Sequence, residues 1–62
     1  MKLNDLEIGK KFILVRNGEK YIKGKKHFYN GKPTSRFDTI CLSGKFAGHI
    51  GSLNQQCEIK AI

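Results

Sequence analysis

Four side chains have the chemistry to hold a metal ion or to act as nucleophile and base: His27, Cys41, His49 and Cys57. A tetrahedral zinc site takes four N or S ligands, and its usual sequence mark is ligand pairs a few residues apart. Here the ligands come singly, separated by 14, 8 and 8 positions. That spacing predicts no metal site, and nothing else in the chain asks for a cofactor. A Cys–His pair would also need an orienting group and an oxyanion site. Four of the five acids, Asp5, Glu7, Asp38 and Glu58, are scattered, with no two placed for acid–base work. Gly44-Lys45-Phe46-Ala47-Gly48 lacks both the spacing of a phosphate-binding loop and the helix that should follow one. The sequence therefore reads as non-enzymatic, with buried, reduced cysteines and surface histidines.

The remaining concentration of chemistry is Lys20 to Arg36. It carries six of the twelve basic residues, no acid, and the aromatics Tyr21, Phe28 and Tyr29. Lysines pair with phosphates as point charges, and exposed aromatic rings stack on unpaired bases. Lys23, Lys25, Lys26, Lys32 and Arg36 are the expected charges, with Tyr29 or Phe28 as the stacking ring. The competing reading puts Phe28 in the core and leaves the lysines as a solvated hairpin. Strand alternation sends adjacent residues to opposite faces, so one of Phe28 and Tyr29 is expected outside.

The elements that must position these residues are short strands. Lys11-Phe12-Ile13-Leu14-Val15-Arg16 is β-branched and aromatic between charged ends. Asn17-Gly18 follows, a pair that tolerates the positive φ of a two-residue type I′ hairpin turn. Glu19 to Lys23 returns as a second strand, with Phe12, Leu14 and Tyr21 on one face. Gly24 and Asn30-Gly31 are expected to turn the basic segment, placing Lys25 and Lys26 in a turn. Lys32-Pro33-Thr34-Ser35 is expected as loop or sheet edge, because Pro33 has no N–H for a ladder. Arg36 to Leu42 forms another strand, Phe46 to Leu53 a strand broken by bends, and Gln56 to Ile62 a closing strand with Cys57 and Ile59 on one face. Before all of these, Asn4 to Ile8 reads as one helical turn, with Asn4 and Glu7 at capping-box spacing. Leu3, Leu6 and Ile8 would tuck onto the core.

No stretch has a sustained 3.6-residue apolar period. About five short strands with frequent turn signals predict an all-β, single-domain small barrel over residues 1–62. So short a chain buries a small core and leaves little room for an enclosed pocket.

The spacing resembles that of a group of small proteins encoded by tailed bacteriophages. Their pattern opens Leu-x-x-Leu-x-x-Gly-x-x-Phe, met here by Leu3, Leu6, Gly9 and Phe12. It continues with Tyr-x-Lys at Tyr21 and Lys23, with Cys41, Leu42 and Gly44 after a hairpin, and with the alternating Cys57-Glu58-Ile59. The resemblance implies an SH3-like barrel and brings no active site with it. The chain departs from the pattern in its excess of lysine and its longer, basic middle.

With 12 Lys+Arg against 5 Asp+Glu, the net charge of +7 points to a polyanionic partner. Nucleic acid is the first expectation. The alternative is an acidic face of a host protein, which a phage-encoded module would inhibit or redirect. No apolar run has the ~20 residues that span a bilayer, so no membrane role is expected. A polar start and two unpaired-looking cysteines point to the cytoplasm, the host's if the protein is phage-encoded.

Overall fold

The computed structural model describes all residues 1–62. Five antiparallel strands form one sheet: β1 (Lys11–Leu14), β2 (Lys20–Tyr29), β3 (Lys32–Cys41), β4 (Ile50–Asn54) and β5 (Ile59–Ala61), in the order β4-β3-β2-β1-β5. The only helical pieces are single 3-10 turns at Leu3–Asp5 and Gly44–Phe46. The all-β expectation is met.

Alternation along β1 explains the core. Phe12 and Leu14 are fully buried between Lys11 and Ile13, which point the other way. Tyr21 lies directly opposite Phe12, and the two rings stack with centroids 5.5 Å apart. Leu3, Leu6, Phe37 and Ile59 complete the cluster, with Tyr21, Leu53 and Cys57 packed against it. Contacts from both outermost strands, Leu53 on β4 and Ile59 on β5, require the sheet to curl around this core. Ile8, expected inside, is 61% exposed.

The curl does not close into a hydrogen-bonded barrel. β4 and β5 form no ladder with each other. The chain's first residues fill the gap instead: Leu3 N–H donates to the Cys57 carbonyl and Asn4 N–H to the Gln55 carbonyl, both at 2.9 Å. Ile59 N–H in turn donates to the Met1 carbonyl at 2.8 Å. This pairing also explains why the expected capping box is missing. The turn begins at Leu3 after an extended Lys2, and no side chain caps it, because the carbonyls of Cys57 and Gln55, in the turn after β4, already occupy its first N–H groups.

The two Asn-Gly pairs behave differently. Asn30 (φ 52°) and Gly31 (φ 75°) both take positive φ, the signature of the tight type I′ turn, and join Tyr29 to Lys32 directly. At Asn17-Gly18 only Gly18 does so (φ 72°). There the Asn17 side chain accepts a 2.9 Å bond from Glu19 N–H, folding its own backbone into an Asx turn. Val15 to Gly18 therefore make a wider loop, closed by Gly18 N–H on the Leu14 carbonyl at 2.7 Å. The hairpin is as expected; its turn type is not.

Gly24 is not a turn. It lies inside β2, at a bulge between Lys23 and Lys26, where a Cβ would come within 2.9 Å of the Asp38 carbonyl oxygen. The glycine permits close approach of two backbones, and the basic segment continues as strand. Lys32 to Ser35 likewise belong to β3, with Pro33 opposite Phe28. Pro33 is tolerated because β4 pairs with β3 only from Arg36 onward, so its missing N–H interrupts no central ladder.

Candidate nucleic-acid interface

β2 and β3 are ten residues each, far longer than their neighbours. β1 stops pairing with β2 at Ile22, and β4 stops pairing with β3 at Arg36. Beyond those points the hairpin continues alone as a two-stranded ribbon. A lone ribbon has solvent on both faces. Phe28 and Tyr29 point to opposite sides, as alternation demands, yet both are exposed, at 55% and 69%. Tyr29 faces Lys32 across the turn, and Lys32 is exposed. Lys25, at the bulge, is exposed as well.

The base of the ribbon holds the other basic residues of the segment in place. Lys23, expected to face a phosphate, is 3% exposed. Its Nζ donates to the Leu3 carbonyl at 2.8 Å and to the Leu6 carbonyl, and lies 3.9 Å from the centre of the Phe37 ring. Burial pushes its pKa below the ordinary 10.5; Asp5 partly opposes this, and Lys26 adds to it. Lys23 is thus a pin between the N-terminal turn and the sheet, reached because Tyr21-x-Lys23 gives it inward parity. Lys26 is half-buried, donating to Gln55 Oε1 at 2.5 Å with its ammonium 4.8 Å from the same Phe37 ring. Arg36 is exposed but engaged: its Nε donates to Ser52 Oγ at 2.8 Å and a terminal nitrogen to the Ser52 carbonyl at 2.7 Å.

His27 and Asp38 pair across the ribbon base at 2.7 Å, and Thr34 Oγ1 donates to the His27 carbonyl at 2.8 Å. Of the expected site, Tyr29 and Lys32 therefore stand free on the projecting part, joined by Phe28, and Lys25 stands free at the bulge in its base. Lys23, Lys26 and Arg36 do not.

Among all lysines and arginines, only Lys2 reaches a carboxylate, Glu58, at 2.9 Å. With the N-terminal amine, that contact draws the Glu58 pKa below its usual 4.5. No other lysine or arginine makes an ion pair. The four potential metal ligands do not gather, and no group of three or more His, Cys, Asp or Glu is placed to hold an ion. Cys41 is buried, its thiol donating to the Ser43 carbonyl at 3.1 Å; Cys57, expected buried, is half-exposed. His49 packs edge-on to Phe46 at 5.6 Å. No helix is long and apolar enough to cross a membrane.

Sequence reasoning missed the outward isoleucines Ile13, Ile22, Ile40 and Ile50. A signal was present: Phe12-Ile13-Leu14 is apolar at both parities, whereas a sheet with one wet face alternates.

No protein-family model, curated protein or solved structure matches the chain.

Proposed function

We propose that the protein is a non-enzymatic binder of single-stranded nucleic acid, and that it binds through the tip of the β2–β3 ribbon. Phe28 and Tyr29 offer stacking faces, and Lys25 and Lys32 meet phosphates. The observation that carries this reading is the joint exposure of two adjacent aromatic rings beside uncompensated lysines. A 62-residue domain has few large apolar side chains for its core, and leaving two of them in water costs burial energy. Each ring is worth roughly 1.5–3 kcal/mol if buried. Stacking on bases offers a return that no intramolecular contact does, at about 1–3 kcal/mol per base. If the chain shares a scaffold with the small phage barrels, this longer basic middle is where it departs from them.

Fluorescence anisotropy with a labelled oligothymidylate tests the proposal. At ~50 mM salt, where the electrostatic part is strong, the protein should bind, and affinity should fall steeply as salt rises. No binding under those conditions rejects it.

A further inference from the structure

The sheet has a second unpartnered surface, on its outer face. The strand register aligns Lys11, Ile22, Ile40 and Ile50 in one row across β1, β2, β3 and β4. The next row places Ile13 between Lys20 and Lys60. Neighbouring strands lie about 4.7–4.9 Å apart, so Ile22, Ile40 and Ile50 form a continuous apolar track about 10 Å long. None of the four isoleucines belongs to the core cluster, and Ile40 and Ile50 are 41% and 79% exposed. An antiparallel sheet with one face in water normally carries polar residues there. A contiguous apolar patch in that position marks an interaction surface.

The rim says what kind. Lys11, Lys20 and Lys60 are exposed, and none has a carboxylate partner. These two rows contain no acid; Asp38, the nearest along β3, is taken by His27. The surface is therefore apolar in the middle and cationic around it. A second copy of the chain would set these lysines against their own equivalents, with +7 on each side. A lipid surface suits side chains that project into it, whereas these isoleucines lie along a sheet, with Ile13 and Ile22 already half-buried. Bases would find no aromatic platform in this track.

We propose that the outer face docks an acidic, amphipathic protein segment: apolar side chains on the Ile22–Ile40–Ile50 track, carboxylates on Lys11, Lys20 and Lys60. This is a surface separate from the ribbon tip, and it does not depend on nucleic-acid binding there.

The test follows isoleucine methyl resonances while a designed 18-residue amphipathic helix is added, with leucine on one face and glutamate on the other. The same helix with lysine for glutamate, a glutamate-rich peptide without the leucines, and phosphatidylglycerol vesicles serve as comparisons. The acidic amphipathic helix should shift the Ile13, Ile22, Ile40 and Ile50 methyls saturably, and neither control peptide should do so. Ile40→Thr with Ile50→Thr, which keeps β-branching at two exposed positions, should weaken binding at least tenfold while the circular dichroism spectrum stays unchanged. Lys11→Glu with Lys20→Glu should weaken it comparably, and Tyr29→Ala should leave it unaltered. No saturable shift, equal binding of the leucine-free peptide, loss on Tyr29→Ala, or vesicle binding without peptide binding would each overturn the proposal.

Discussion

The two ends of the β2–β3 hairpin use the same residue types for opposite purposes. At the base, Lys23, Lys26 and Arg36 are held by carbonyls, an amide oxygen, a serine and the Phe37 ring. At the tip, Lys32, Phe28 and Tyr29 stand in solvent, as does Lys25 where the bulge turns it out of the base. What separates them is the number of strands alongside. Where β1, β4 and the N-terminal turn flank the hairpin, a lysine finds acceptors and becomes part of the structure. Where the hairpin runs alone, Lys32 finds no acceptor and stays in solvent. Local sequence does not carry that distinction.

The comparison breaks most sharply at Lys23. Lys23→Ala leaves the buried Leu6 carbonyl without a donor, at about 1–3 kcal/mol for a group left unsatisfied, while the Leu3 carbonyl keeps its bond from Leu6 N–H. A core this small supplies only roughly 3–5 kcal/mol in all, so the variant should lose a large share of its stability in a urea titration. Lys25→Ala, one bulge away, should change stability by less than about 0.5 kcal/mol. Equal effects at the two positions would erase the contrast between held and free lysines.

Binding should show the reverse order. Tyr29→Ala should cost about 1–3 kcal/mol of single-strand affinity and leave the unfolding midpoint unmoved. Lys25→Glu with Lys32→Glu should remove two phosphate contacts and lower the salt slope by about 1.4. Lys26→Gln, which keeps an amide donor for Gln55, should alter affinity much less than that pair.

The pH dependence sharpens the same point. The folded-state pKa of Lys23 lies below its unfolded value of 10.5, so between the two the unfolded chain binds more protons. Its contribution to stability should therefore rise as pH climbs through that window. Lys23→Met should flatten the rise relative to wild type in thermal melts at successive alkaline pH values. The smallest effect belongs to Glu58, exposed and drawn down by Lys2 and the N-terminal amine. Its contribution is present above its unfolded pKa and fades as pH falls through the folded value, so Glu58→Gln should slightly reduce the acid sensitivity of wild type.

Much of the fold was legible because β1 obeys simple rules: Phe12 and Leu14 on one parity, turn residues after them. The all-β class and the first hairpin follow from that. Gly24 misled because glycine marks a turn or a bulge equally well, and only the approach of the Asp38 carbonyl decides which. Ile8 misled because its burial depended on where the N-terminal segment lies, which is fixed by long-range bonds to residues 55–59. The site was legible as a segment but not as a surface. Lys23 and Lys25 differ in sequence by two positions and in exposure almost completely, through a bulge and a distant pair of carbonyls.

Mapping amide and aromatic-ring chemical shifts during titration with an oligothymidylate tests the central claim most directly. Shifts should concentrate on Lys25, on the Phe28 and Tyr29 rings and on Asn30 to Lys32, while Lys23, Phe37 and the Leu3–Leu6 turn stay in place. A silent tip, with the largest shifts elsewhere on the sheet or none at all, would contradict it.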